Sequence, residues 1–219
     1  MRVAPKAQLT LDATINAEAG PTGKPMKDLP LSKVYQLIEP GPVVLLTMAH
    51  KGRINVRTMS RHMIVDFEPP LISCIVSNRD HSFVALRATK ECVIAIPAVE
   101  LADKVVSIGN CSGRDVDKFE ASDLTPEKAE RVSAPLIAES FANIECRVVD
   151  TRLVNKYCLF VLEGLKAWID LKQKNPTTIH HQGFGRFFVD GDTRNSGRFV
   201  KKARASGLAN APLFLTARP

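Results

Sequence analysis

Short apolar runs bounded by glycine, proline and polar turns dominate this chain, and helical spacing is confined to a few segments. Val43–His50 and Arg53–Met63 flank Lys51-Gly52, and their Val, Ile, Thr and Met content predicts two antiparallel strands joined by a tight turn. Glu68-Pro69-Pro70 interrupts the pattern before Leu71–Ser77, a continuous apolar run that predicts a buried strand. Another strand is expected at Cys92–Ile96, ended by Pro97. Two long strands are expected at Ala142–Val154 and Tyr157–Lys166, with Asn155-Lys156 as the reversal between them. Helices are expected around Ser32–Ile38, capped by Ser32, from His81 to Thr89, capped by Asp80, and over Leu101–Ile108, where Leu101, Val105 and Ile108 share a face. Val116–Phe119 reads as one more helical turn. Strands in such short succession, separated by brief helices, favour a mainly β domain with peripheral helices, closed or split as a small barrel, over a doubly wound sheet.

Length and composition narrow this to one well-buried core: 219 residues, 45 % of them hydrophobic. Residues 1–31 contain Gly-Pro-Thr-Gly-Lys-Pro with little periodicity and read as an extended N-terminal arm. Residues 32–190 form the expected domain, and 191–219 a basic tail. The longest apolar runs are far too short to cross a bilayer and no export signal opens the chain, so a cytoplasmic protein with no membrane partner is expected. The five cysteines, 74, 92, 111, 146 and 158, include no C-x-x-C pair and sit mostly in apolar runs, which predicts buried free thiols. Cys111, in the polar run Gly-Asn-Cys-Ser-Gly, is expected to be an inert neighbour of a site rather than a redox thiol.

A net charge of +7 invites a nucleic-acid reading until it is located: from Thr193 to Pro219 there are six basic residues and no acidic one. The excess is terminal and lacks interleaved aromatics, so nucleic acid is not expected as a partner.

Candidate chemistry gathers in two stretches. Ser77, Arg79 and Ser82 lie immediately before and within the first turn of the predicted His81 helix, where unpaired amides, the helix dipole and an arginine together suit a phosphate. A surface arginine beside an ordinary helix cap is the plain alternative. Asn55, Thr58 and Ser60 line one strand with polar groups, and Val56 and Met59 add apolar surface, although a purely structural strand contains the same residue types. Adjacent His180 and His181 point in different directions on a strand and lack a third ligand, so no metal is expected.

The order and spacing of Gly-Arg-Ile-Asn-Val-Arg-Thr-Met-Ser (52–60), Ser-Asn-Arg-Asp-His-Ser (77–82) and above all Ser-Gly-Arg-Asp-Val-Asp-Lys-Phe (112–119) with Leu124-Thr125-Pro126 resemble the flavin reductase-like, FMN-binding split-barrel family that includes the flavoredoxins. His180–Phe187 resembles that family's late histidine-and-glycine segment, which implies that the barrel receives its last strand there. The resemblance spans roughly Pro40 to Val189 and implies a Greek-key-type split β-barrel binding FMN. It implies cofactor contacts at Asn55, Val56, Arg57, Thr58, Met59 and Ser60 along the ring edge, and at Ser77, Arg79, Ser82, Ser112 and Lys118 towards the phosphate. No catalytic side chain is required, because the flavin brings its own reactivity. The implied function is that of an FMN-dependent oxidoreductase, of NAD(P)H:flavin reductase or flavoredoxin type. It would pass electrons from NAD(P)H or a redox partner through FMN to free flavin or an acceptor protein. A homodimer is also implied. Ala95 departs from the family, where many members carry asparagine. The alternatives are a pyridoxamine-phosphate-oxidase-like enzyme and a non-catalytic nucleic-acid-binding barrel. With no Gly-x-Gly-x-x-Gly unit, a nicotinamide would dock only transiently.

Overall fold

The computed structural model describes residues 18–19, 25–26, 41–170, 172–173, 176–183 and 185–191. The chain divides into two compact units, Met1–Ile38 and Glu39–Pro219. In the first, β1 (Glu18–Ala19) pairs antiparallel with β2 (Pro25–Met26). The helix expected at Ser32–Ile38 and the basic tail beyond Gly191 lie outside the described residues.

The second unit is built on a seven-stranded antiparallel sheet. Its strands are β3 (Val44–His50), β4 (Arg53–Met59), β5 (His62–Phe67), β6 (Pro70–Ile75), β7 (Glu91–Ile96), β10 (Ala142–Asp150) and β11 (Leu159–Ile169), in the spatial order β4-β3-β7-β10-β11-β6-β5. β4 and β5 are the two sheet edges, yet only Ser60 and Arg61 separate them in the chain. The sheet therefore curls until its edges meet at that corner, which makes it a split β-barrel of Greek-key type. One continuous strand was expected over Arg53–Met63. It breaks because its first half pairs with β3 and its second half with β6.

Side-chain alternation on β3 explains why the whole strand is apolar. Val44, Leu46 and Met48 join one core cluster inside the barrel, with Phe83, Leu86, Phe160 and Leu162. Val43, just ahead of the strand, and Leu45 face the opposite way, into a second cluster with Val105, Ile108, Phe119 and Ile137. Both faces are covered, so period two reads as a continuous run. β3 and β4 join through Lys51 and Gly52, both at positive φ (52° and 75°), the conformation that a two-residue hairpin of matching twist requires and glycine readily supplies.

Three helical segments frame the barrel mouth: α1 (His81–Thr89), α2 (Ala102–Asn110, entered by a 3-10 turn at Val99–Leu101) and α3 (Lys118–Ala121). α1 buries Phe83 edge-on against Phe160, ring centroids 5.6 Å apart. α3 starts at Asp117, whose carboxylate accepts from the Phe119 and Glu120 N–H groups at 3.0 and 3.3 Å. Two-residue strands β8 (Pro126–Glu127) and β9 (Leu136–Ile137) pair with each other. The reversal expected at Asn155-Lys156 is instead a helical turn, α4 (Val154–Tyr157), ended by Cys158 at positive φ. β12 (Ile179–Gly183) pairs with β13 (Arg186–Val189) as a separate hairpin, so the histidine segment is not the barrel's last strand. It is fastened to the body by the Pro42–His180 bridge and the Val43 N–H to Ile179 C=O bond of 2.7 Å.

All five cysteines are free, with Cys74, Cys92 and Cys146 buried. Burial pushes the Cys74 thiol up to about 12, which keeps it an unreactive packing residue. Among the described residues no helix is long and apolar enough to cross a membrane.

Candidate functional site

Two adjoining hollows open beside β4 where α1, α2 and α3 converge, and Thr58 and Gly109 belong to both. The first, about 220 Å³, is walled by Arg57, Arg79, Asp80, His81, Ser82, Ile108, Cys111, Ser112, Gly113 and Lys118. The second, also about 220 Å³, is walled by Val43, Ser60, Val105, Val106, Asn110, His181, Gly185 and Phe187. One is charged; the other mixes apolar side chains such as Val106 and Phe187 with the polar Thr58, Ser60 and Asn110.

Each wall of the first hollow has a local cause. The turn before α1 is shaped by Ser77, whose Oγ accepts from the Arg79 N–H at 3.3 Å and whose carbonyl accepts from the Asp80 N–H at 2.9 Å. Asp80 takes the N-cap position, but its side chain makes no capping bond, contrary to expectation. Its carboxylate turns instead to Arg57, where Oδ2 lies 2.9 Å from Nη1. Nη1 is buried at this contact, so Asp80 is the counter-ion of an enclosed cation. Burial lowers the Arg57 pKa, with Asp80 working against that shift. The Phe83 N–H donates to the Asp80 carbonyl at 3.1 Å, and with no side-chain cap the His81 and Ser82 amides are left available beside the hollow.

Lys118 reaches across from α3 and donates to the Ile108 carbonyl at 2.8 Å, filling an acceptor in the last turn of α2. Burial lowers the pKa of this ammonium, and nearby Arg57 adds repulsion. Asn55 lies under the floor, donating to Ser82 Oγ at 3.0 Å. Ser112 Oγ accepts from the Arg114 N–H at 3.2 Å and so fixes the turn at the start of the loop. Between the hollows, Thr58 Oγ1 donates to the Val105 carbonyl at 2.6 Å and ties β4 to α2. At the far rim, the His181 and Phe187 rings tilt against each other with centroids 5.6 Å apart.

The sequence-derived residues thus divide. Arg57, Thr58, Arg79, Ser82, Ser112 and Lys118 share the first hollow, and Thr58 and Ser60 wall the second. Asn55 and Ser77 shape the site from behind. Val56 and Met59, expected to present apolar surface, do not: they are 0 % and 3 % exposed and pack into the two core clusters. The accessible apolar wall comes instead from Val106 on α2 and Phe187 on β13. Unanticipated were Gly109 and Gly113, the small residues around Cys111-Ser112 that let the chain lie against the Thr58 and Asn55 side chains. Among the described residues no cluster of His, Cys, Asp and Glu is suited to a metal.

Comparison with known proteins resolves the lineage. The family model described as "Flavin reductase like domain" matches residues 38–187, more than half of the chain. The chain belongs to the flavin reductase-like family. An uncharacterized protein of Archaeoglobus fulgidus is 32 % identical over 151 residues, covering 66 % of this chain and 84 % of that protein. Among solved structures, the FMN-binding domain of a flavin reductases-like enzyme from Shewanella baltica superposes with a TM-score of 0.68 at 22 % identity, covering 77 % of this chain and 95 % of that one. The flavoredoxin of Desulfovibrio vulgaris superposes at 0.67 with 20 % identity, covering 72 % and 91 %. At these identities the structural likeness establishes the split-barrel fold shared across the flavin reductase-like family.

Proposed function

We propose that the protein is an FMN-dependent oxidoreductase that accepts electrons from NAD(P)H or a redox partner and passes them to free flavin or an acceptor protein. The observation that carries this reading is the junction at Thr58 and Gly109, where a cation-rich hollow meets an uncharged one walled in part by Val106 and Phe187. A phosphorylated aromatic ring system has those same two halves. The donor chemistry fits FMN: Arg57, Arg79 and Lys118 face the first hollow, as a phosphate requires, and Val106 and Phe187 line the adjoining one, as a ring system requires. Membership of the family supports the same assignment.

Bound FMN would supply reversible two-electron chemistry. The chain's own residues would bind and orient it. Arg57, Arg79 and the amides at the start of α1 would meet the phosphate as charge-assisted and dipolar donors. Val106 would exclude water from one side of the second hollow, with His181 and Phe187 at its rim. No protein proton donor is needed for hydride transfer, and reductant and acceptor would use the open side in turn.

The proposal extends to a cytoplasmic location and to a homodimer, the latter supported by the apolar exposure of edge strand β5, where Met63, Ile64, Val65 and Phe67 are exposed. Sedimentation of the full chain should then give twice the monomer mass. The main test is spectroscopic. Purified protein should be yellow, or turn yellow with added FMN, and its visible band should bleach with NADH, NADPH or a reduced carrier. Colourless protein that leaves FMN fluorescence unchanged overturns the proposal.

A further inference from the structure

The first hollow contains a charge of the wrong sign for its proposed ligand. Three cations face it, Arg57 from β4, Arg79 from the turn before α1 and Lys118 from α3, but Asp80 faces it as well, and His81 and Cys111 complete the titratable wall. Asp80 occupies a helix N-cap position, where aspartate ordinarily accepts from the first-turn amides, and it makes no such bond. Its carboxylate is instead spent on Arg57 at 2.9 Å. The Arg57 side chain is 14 % exposed and that of Asp80 39 %, so the enclosed cation already has a counter-ion standing at the open side. Lys118 is partly committed too, through the Ile108 carbonyl. A dianion entering this hollow must share Arg57 with Asp80 and accept the repulsion of the carboxylate.

We infer that Asp80 is a specificity and affinity determinant: it weakens the grip on the phosphate group, so that a phosphorylated flavin is held as an exchangeable ligand rather than a permanent one. This rests on the flavin reading above and deepens it. Like charges brought together at a binding site oppose association, and removing one should recover affinity for the anionic part of the ligand alone. The consequence is a split between FMN and riboflavin, which differ only in the phosphate.

The test is Asp80→Asn in the full chain. Asparagine keeps an oxygen for Arg57 and is as good an N-cap residue, so only the charge is removed. Titrations follow flavin fluorescence with FMN and with riboflavin, and calorimetry with inorganic phosphate. The variant should bind FMN about tenfold more tightly and phosphate more tightly in parallel, with riboflavin unchanged. Unchanged or weaker binding of FMN and phosphate overturns the inference. So does equal loss of FMN and riboflavin in a variant that melts like the parent, because Asp80 would then be a positioning residue for the pocket. A parent protein that binds neither flavin ends the flavin reading, and the phosphate titration still decides the role of Asp80.

Discussion

Gly113 rests directly on the side-chain amide of Asn55: a Cβ added at Gly113 would fall 2.0 Å from Asn55 Oδ1 and 2.7 Å from its Cγ. Asn55 is itself buried and donates to Ser82 Oγ, so it has little room to retreat. The contact stacks the Cys111–Lys118 loop, β4 and the first turn of α1 into one floor. Gly113→Ala should therefore force that floor apart. The expected cost is about 1–3 kcal/mol, read as a lower urea midpoint, together with weaker FMN binding. Unchanged melting and unchanged FMN titration would mean that the loop moves away without consequence.

Arg79 and Lys118 offer contrasting ways to remove a positive charge from the first hollow. Arg79 is exposed and has no side-chain partner described, so Arg79→Ala should leave stability within error. FMN affinity should fall on the order of tenfold with riboflavin affinity unchanged, because the lost group serves only the phosphate. Lys118→Met removes the donor to Ile108 as well, so here both stability and FMN affinity should drop. Fluorescence titration beside thermal melting separates the two outcomes.

Thr58 ties β4 to α2 at the junction of the hollows, its Oγ1 2.6 Å from the Val105 carbonyl, with Gly109 packed alongside. Thr58→Val keeps the shape and removes the bond. A loss of about 1 kcal/mol in urea unfolding is expected. Affinity for FMN and riboflavin should fall together, since the junction serves both halves of the ligand.

The legible parts of the fold were those set by local pattern. α1 from His81 to Thr89 follows its expected bounds, and β7 and the hairpin at Lys51-Gly52 announce themselves through a terminating proline and a turn glycine. Non-local decisions were hidden. Arg53–Met63 looks like one strand because both halves are β-prone, and only the choice of different partners, β3 and β6, breaks it at Ser60. Within the site, clustering along the chain found the anion-facing residues of 77–82, and the family resemblance found Lys118. Val56 and Met59 were misassigned because alternation along β4 does not reveal that helices and core cover both of its faces. The departure of Asp80 from its cap is likewise invisible in sequence, since Arg57 lies far from it along the chain and meets it only after the barrel closes.

Glu145 is 0 % exposed, yet its carboxylate is surrounded by donors: Trp168 Nε1 at 2.7 Å, the Arg131 N–H at 2.5 Å and the Glu130 N–H at 3.1 Å. Burial alone would raise its pKa, but these hydrogen bonds outweigh burial and hold it below the ordinary glutamate range. A carboxyl with a depressed folded-state pKa contributes stability that is present above its unfolded pKa, about 4.3, and is lost as pH falls through the lower folded value. Glu145→Gln replaces one oxygen by an amide that points donor against donor in a closed site. At neutral pH it should cost about 1–3 kcal/mol in urea unfolding. Because the parent alone forfeits the ionised network in acid, the gap between parent and variant should narrow as pH is lowered from above the ordinary glutamate pKa to below it. A gap that stays constant across that window would mean that Glu145 contributes through its shape and not through its charge.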